Sequence, residues 1–350
     1  MGVSAALGSS ALLPAGLGFR NKIINGDMRI NQRGASTSST NVGYLVDRWV
    51  MYAGSNLTSL NTSTDAPAGF TNSIYAETTT ASGPASYHGI VQQIEGNNIP
   101  DLGFGTAWAK PVVVSFWVKS TKTGVANFSF ANNGNLRTFT TTYTIDVANT
   151  WEKKIIYING DTSGTWLTTN GMGLRLWWDL GSTTSYNTTV NTWVGTDSIR
   201  TSSQTHNLTA TLNARLYLTG VQLEQNYQPT PFEQRPIGVE LALCQRYFRT
   251  ATDKQNIGGC AYSTGIVARF PFNPEMRIAP TATIQTSGSF IAGNDYSANY
   301  TASTVTVVNQ HASVTHTRLV LGGFSSTSSG MFLANSDANG TAVLAISAEL

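Results

Sequence analysis

Hydrophobic and polar residues alternate with a period of two along most of residues 21–235, the spacing of strands whose successive side chains point to opposite faces. In PVVVSFWVKS, Val112, Val114, Phe116 and Val118 share one face, while Val113, Ser115, Trp117 and Lys119 share the other. ANFSFAN, RTFTTTYTI, WEKKIIYI, MGLRLWWDL and ARLYLTGVQLE follow the same rule, and Asn133-Gly134, Asn159-Gly160 and Asn170-Gly171 supply turns between them. The pattern predicts an antiparallel sandwich. At Pro236 the period changes. PIGVELALCQRYFR reads as a helix with proline at its start, where a missing N–H costs nothing. Ile237, Leu241, Cys244 and Phe248 form one apolar stripe, and Val239, Leu243 and Tyr247 form a second. Two stripes predict burial on two sides, between domains or subunits, with Cys244 as an inert core thiol. GIVARFPF, TATIQTS, STVTVVNQ, HTRLVLGGF and TAVLAISAEL then return to strand spacing.

The expected architecture is therefore all-β. A large antiparallel sandwich occupies 21–235, a connecting helix 236–254, and a smaller β-sandwich domain 255–350. Residues 1–20 are rich in Ala, Gly and Leu, carry no positive charge before Arg20 and are interrupted by Pro14, so they read as a docking arm rather than a secretory signal.

Composition narrows the function. Only 11% of the 350 residues are charged, with a formal net charge of +2, and no basic cluster occurs that would suit nucleic acid. About 80 serines and threonines take the place of charge on the polar face. No apolar run is long enough for a membrane helix. Two cysteines, Cys244 and Cys260, exclude a disulfide scaffold and a four-cysteine zinc site. No phosphate-binding loop, HExxH or GxSxG is present. The carboxylates of the first domain, Asp27, Asp47, Glu95, Asp101, Glu152, Asp161, Asp179 and Glu224, sit mostly beside turns or strand ends, and the chain reads as a non-enzyme.

Aromatic residues make up 10% of the chain, and all eight tryptophans fall at or before Trp193. In MGLRLWWDLG, Trp177 falls on the polar face with Arg175 and Asp179, opposite Leu174, Leu176 and Trp178. Trp166 and Trp193 lie in Thr/Gly/Asn-rich stretches, and Tyr186 lies within GSTTSYNTT. Rings flanked by neutral polar groups suit a sugar, whose C–H face stacks while its hydroxyls find partners. Trp166, Trp177, Asp179, Tyr186 and Trp193 are the candidate glycan-binding residues; a core or subunit-interface role is the competing reading.

Read together, IINGDMRINQRG (23–34), YLVDRW (44–49), VQQIEG (91–96), VVVSFWVKS (112–120), WEKKIIYI and LTGVQLEQNYQPTPFEQRPIGVELALCQRYF (218–248) resemble a bacteriophage virion protein of the tail-fibre or appendage class. The first domain is similar to jelly-roll carbohydrate-binding modules. The resemblance implies a virion location after assembly in the host cytoplasm, attachment to other virion proteins through residues 1–20, and a homotrimer. It also implies contact with host-surface polysaccharide. A capsid decoration or cement protein and a polysaccharide-degrading tailspike are the alternatives. Related modules hold a calcium between the opening and closing strands. Asp27 matches one ligand, but Thr219-Gly220 stands where an acidic pair is expected, so no cofactor is assigned. Asp47 and Arg48 are expected to pair with each other.

Overall fold

The computed structural model describes residues 19–350 apart from 36, 39–41, 54–57, 85–86, 252–256, 263–264, 287–289, 294–299, 303, 308–312, 323–330 and 337–342. All but the last two residues of the predicted arm lie outside the described residues.

Residues 37–224 form an antiparallel jelly-roll sandwich of two sheets. The first sheet runs, in spatial order, β1 (Thr37–Ser38), β4 (Thr58–Ser63), β5 (Ser73–Thr78), β13 (Arg215–Glu224), β7 (Val112–Ser120) and β10 (Glu152–Ile158). The second runs β12 (Thr192–Val194), β9 (Thr138–Ile145), β8 (Gly124–Ala131), β11 (Met172–Asp179), β6 (His88–Glu95), β3 (Trp49–Ala53) and β2 (Val42–Tyr44). The alternation read from sequence sets the inner faces. Val112, Val114, Phe116 and Val118 meet Phe128, Leu176 and Trp178 in one core. The Trp178 ring lies 5.5 Å from Phe116 edge-on and 5.7 Å from Trp49. Deep in this core Gln92 receives the backbone N–H of Ile24 and donates back to its carbonyl, which ties the opening segment to β6.

The outer faces are more covered than alternation alone suggests. Lys119 on β7 is buried under Trp151 and Tyr217, with its ammonium 4.3 Å from the Tyr217 ring centre, and it pairs with Asp65. Its aliphatic stem packs while its head keeps a partner.

The helix, α1 (Ile237–Gln245), begins after Pro236 as expected, but within one chain it does not bury two stripes. Glu240 and Cys244 are its buried residues; Leu241 and Leu243 are half-buried, and Ile237 and Val239 are exposed. Helical spacing stops at Gln245, so Tyr247 and Phe248 leave the stripes. Tyr247 turns inward to donate to Glu95 at 2.7 Å, and Phe248 opens strand β14 (Phe248–Ala251). Glu240 enters the interior because the Asn25 N–H and the Arg235 guanidinium meet its carboxylate there.

After the helix, antiparallel sheets of three and seven strands follow. The last strand, Val343–Ser347, pairs with β14, and the chain end then reaches the jelly roll. Glu349 accepts from Arg33 at 3.0 Å and pairs with Arg48, while Tyr44 donates to the Leu350 carbonyl. The expected Asp47–Arg48 pair does not form. Asp47 accepts instead from Gln32, and Arg48, at φ 70°, is turned by the tight bend before Trp49 toward Glu349 and the Gln93 carbonyl.

Candidate functional site

The outer face of the seven-stranded sheet carries an aromatic cleft. Side-chain alternation puts Tyr52 on β3 and Arg175 and Trp177 on β11 on this face, and β6 between them carries Gly89 opposite both Tyr52 and Asp179. Gly89 is needed for close approach. A Cβ there would stand 2.2 Å from the Trp177 ring, so the ring lies flat across β6 only because no side chain is present. Gly89→Ala is therefore expected to displace Trp177 and cost about 1–3 kcal/mol, read by denaturant unfolding and tryptophan fluorescence. Unchanged spectra and stability would show that the ring is not held this way.

Residues 182–201 cross the same face as a strap. Arg200 donates to the Ser182 carbonyl at 2.5 Å, Thr188 N–H to the Arg200 carbonyl at 3.0 Å, and Thr140 on β9 to the Ser198 carbonyl at 2.7 Å. Thr201 donates to Asn127 on β8 at 2.9 Å. The strap brings Tyr186, Asp197 and Ile199 over Trp177. Tyr87, from the approach to β6, meets Tyr186 edge-to-face at 6.3 Å and Trp177 at 6.1 Å. Asn135 adds an amide from the turn between β8 and β9. Together these residues line a cleft of about 220 Å³.

The polar groups of the cleft are under-partnered. Arg175 stands over the Trp177 ring at 5.0 Å and reaches Asp197 only at 3.4 Å. Burial pulls its pKa below the usual guanidinium value. Arg175 Nε, Trp177 Nε1 and Asn135 Oδ1 are buried without a hydrogen-bond partner among the described residues. Native interiors rarely leave such groups unpaired. Tyr186 is raised in pKa by burial and then by the neighbouring Asp197 carboxylate, so it stays a neutral hydroxyl.

Of the five residues singled out from sequence, the structure brings Trp177 and Tyr186 together. Trp177 is 2% exposed and forms the floor, so the accessible rings are Tyr52, Tyr87 and Tyr186. Asp179 shares the face but is sealed: Ser182 and the Gly181 N–H bind it, Gln204 donates at 2.6 Å, and burial raises its pKa. It anchors the start of the strap and has no access to a ligand. Trp166 and Trp193 lie elsewhere. They meet edge-to-face at 5.6 Å against Phe104 and Phe139 at the rim of the inner core. Their indole N–H groups are spent on the Ser163 and Asn159 carbonyls. Sequence reading missed Tyr52, Tyr87, Asn135, Asp197 and Ile199. Only period-two spacing with Val50 hinted that Tyr52 faces outward.

The other carboxylates are committed to the fold. Arg137 grips Asp161 through two bonds of 2.6 and 2.8 Å, Arg246 and Tyr247 hold Glu95, Lys22 holds Asp101, and Thr230 holds Glu224. Glu152 accepts the Asp146 N–H at 3.0 Å. Asp27 is paired with Arg29, and the neighbouring carboxylate, Glu240, is itself held by Arg235 and the Asn25 N–H. Thr219 donates to the Asn72 carbonyl, away from Asp27. This donor set does not fit a calcium ion, which takes six or more oxygens. Among the described residues no three His, Cys, Asp or Glu side chains converge as a metal site.

No family model and no curated protein matches this chain. Solved structures match part of this chain at low identity and low TM-score. The enzymatically active domain of bacteriophage CBA120 tailspike protein 4 matches at 13% identity over 59% of this chain and 22% of its own, with a TM-score of 0.36. This chain thus spans about a fifth of that tailspike. A putative sugar binding protein from Bacteroides thetaiotaomicron matches at 12% identity over 59% of this chain and all of its own, with a TM-score of 0.35. A family 11 carbohydrate-binding module from Clostridium thermocellum, in complex with a mixed-linked tetrasaccharide, matches at 13% over 56% of this chain and 99% of its own, with a TM-score of 0.29.

Proposed function

We propose that this protein is a non-catalytic glycan-binding subunit of a phage virion, a tail fibre or short appendage. Residues 1–20 attach it to other virion proteins, and it assembles as a homotrimer. The observation that carries the glycan reading is the cleft itself: accessible tyrosine rings and the polar side chains of Arg175, Asn135 and Asp197 line one small volume. Sugars offer both an apolar C–H face and hydroxyls for such groups. Commitment of the first-domain carboxylates to arginine, lysine, tyrosine and backbone partners supports a binding rather than a cleaving role.

A glycan array on the isolated protein tests this reading. Tyr87→Ala and Tyr186→Ala are expected to lower binding at least tenfold with unchanged melting, whereas Trp166→Ala is expected to lower stability by about 3–5 kcal/mol. Silence of the wild-type protein across bacterial surface polysaccharides would end the glycan reading. A second reading, a decoration protein that binds only virion subunits, is favoured by the exposure of Ile237 (53%) and Val239 (37%) on α1. Loss of the oligomer in Ile237→Asp/Val239→Asp, combined with a silent array, would select it.

A further inference from the structure

We infer that the cleft takes a single sugar ring, presented at a chain end or as a side branch, and not an internal stretch of polysaccharide. The inference rests on the glycan reading above and goes on to its ligand class. An open sheet face would let a chain lie across several strands. Here the strap of residues 182–201 crosses that face and is pinned to it through Thr140 and Asn127. The Tyr87–Tyr186 edge-to-face contact joins the strap to the approach of β6 and walls one side. The cleft volume of about 220 Å³ falls below the ~300–1,000 Å³ of sites that hold drug-sized ligands. Arg175, Asn135, Trp177 and Asp197 all line this one volume. Polar side chains gathered in one small volume match the hydroxyls of one ring; a groove for a chain would repeat them along its length.

Calorimetric titration decides the matter. The ligands are methyl glycosides of glucose, galactose, mannose, N-acetylglucosamine and glucuronic acid, each set against oligosaccharides of two and four units with the same non-reducing end. The expected result is that one glycoside binds within about threefold of its own tetrasaccharide and competes with it fully. Affinity rising tenfold or more from one unit to four would overturn the single-ring reading while keeping the glycan reading. Tyr186→Ala is expected to weaken the methyl glycoside and its tetrasaccharide equally. A variant that weakens the tetrasaccharide alone would also overturn the proposal. Failure of every saccharide, long or short, would remove the glycan reading and this inference with it.

Discussion

Arg48→Ala is expected to destabilise the protein by about 3–5 kcal/mol, the cost of stranding one partner of a buried ion pair. Arg48 is 2% exposed, pairs with Glu349, donates to the Gln93 carbonyl and lies 3.7 Å from the Tyr247 ring centre. Its removal leaves the buried Gln93 carbonyl without this donor and the Glu349 carboxylate with Arg33 as its remaining cation. It also weakens the hold on the chain end, where Arg33, Arg48 and Tyr44 join Glu349 and Leu350 to the jelly roll. Urea unfolding gives the magnitude. A double-mutant cycle with Glu349→Ala is expected to show coupling of about 0.5–3 kcal/mol, because the two residues share one interaction. A loss below 1 kcal/mol in Arg48→Ala would show that the chain end is not held by this pair.

Two buried groups should make stability depend on pH in opposite directions. His206 accepts or donates at Nε2 to Ser120 Oγ over 2.9 Å, and burial, with Lys122 nearby, holds its pKa down to about 4. An unfolded histidine titrates near ~6.5. Between these values the unfolded chain binds a proton that the native state refuses, so the contribution present above pH ~6.5 is lost as pH falls toward 4. The total is about 3 kcal/mol. Asp47 behaves inversely. Burial pushes its pKa up to about 6, so the native carboxyl takes a proton before the unfolded one does. Its contribution is fully present below pH ~3.9 and is lost as pH rises through 6, again about 3 kcal/mol. Asp179 and Glu240, also raised by burial, act in the same direction as Asp47. Difference curves separate the two groups. Relative to wild type, the deficit of His206→Gln is expected to shrink by about 3 kcal/mol from pH 6.5 to 4, and that of Asp47→Asn to grow by a similar amount from pH 6 to 4. Parallel curves for wild type and His206→Gln would mean that His206 is protonated in the native state.

The strands and their inner faces were legible because a sandwich imposes one local rule, alternation, on every strand. Phe116, Leu176 and Trp178 could therefore be placed inward before any pairing was known. The start of α1 was legible for the same kind of reason, since a helix-initiating proline and a change of period are both local. The cleft was not. Tyr52, Tyr87, Arg175, Tyr186 and Asp197 are up to 145 positions apart in the chain, and they meet only because β3, β6 and β11 are neighbours in the sheet and the strap folds back over them. Composition around a ring also misled: Trp166 and Trp193 sit among polar residues, yet they pack edge-to-face at the rim of the core.

Local spacing and composition, then, determined that this chain builds antiparallel sheets with apolar interiors, a low-charge exterior and one short helix. Those properties depend on neighbours one to four positions away, whose geometry the backbone sets. Which outward rings remain accessible, which carboxylates find an arginine, and where Glu349 and Leu350 come to rest were decided by strand order and by the crossing of residues 182–201. Each of these depends on the free energy of burying groups that the sequence holds far apart, and that energy exists only once the sheets have closed.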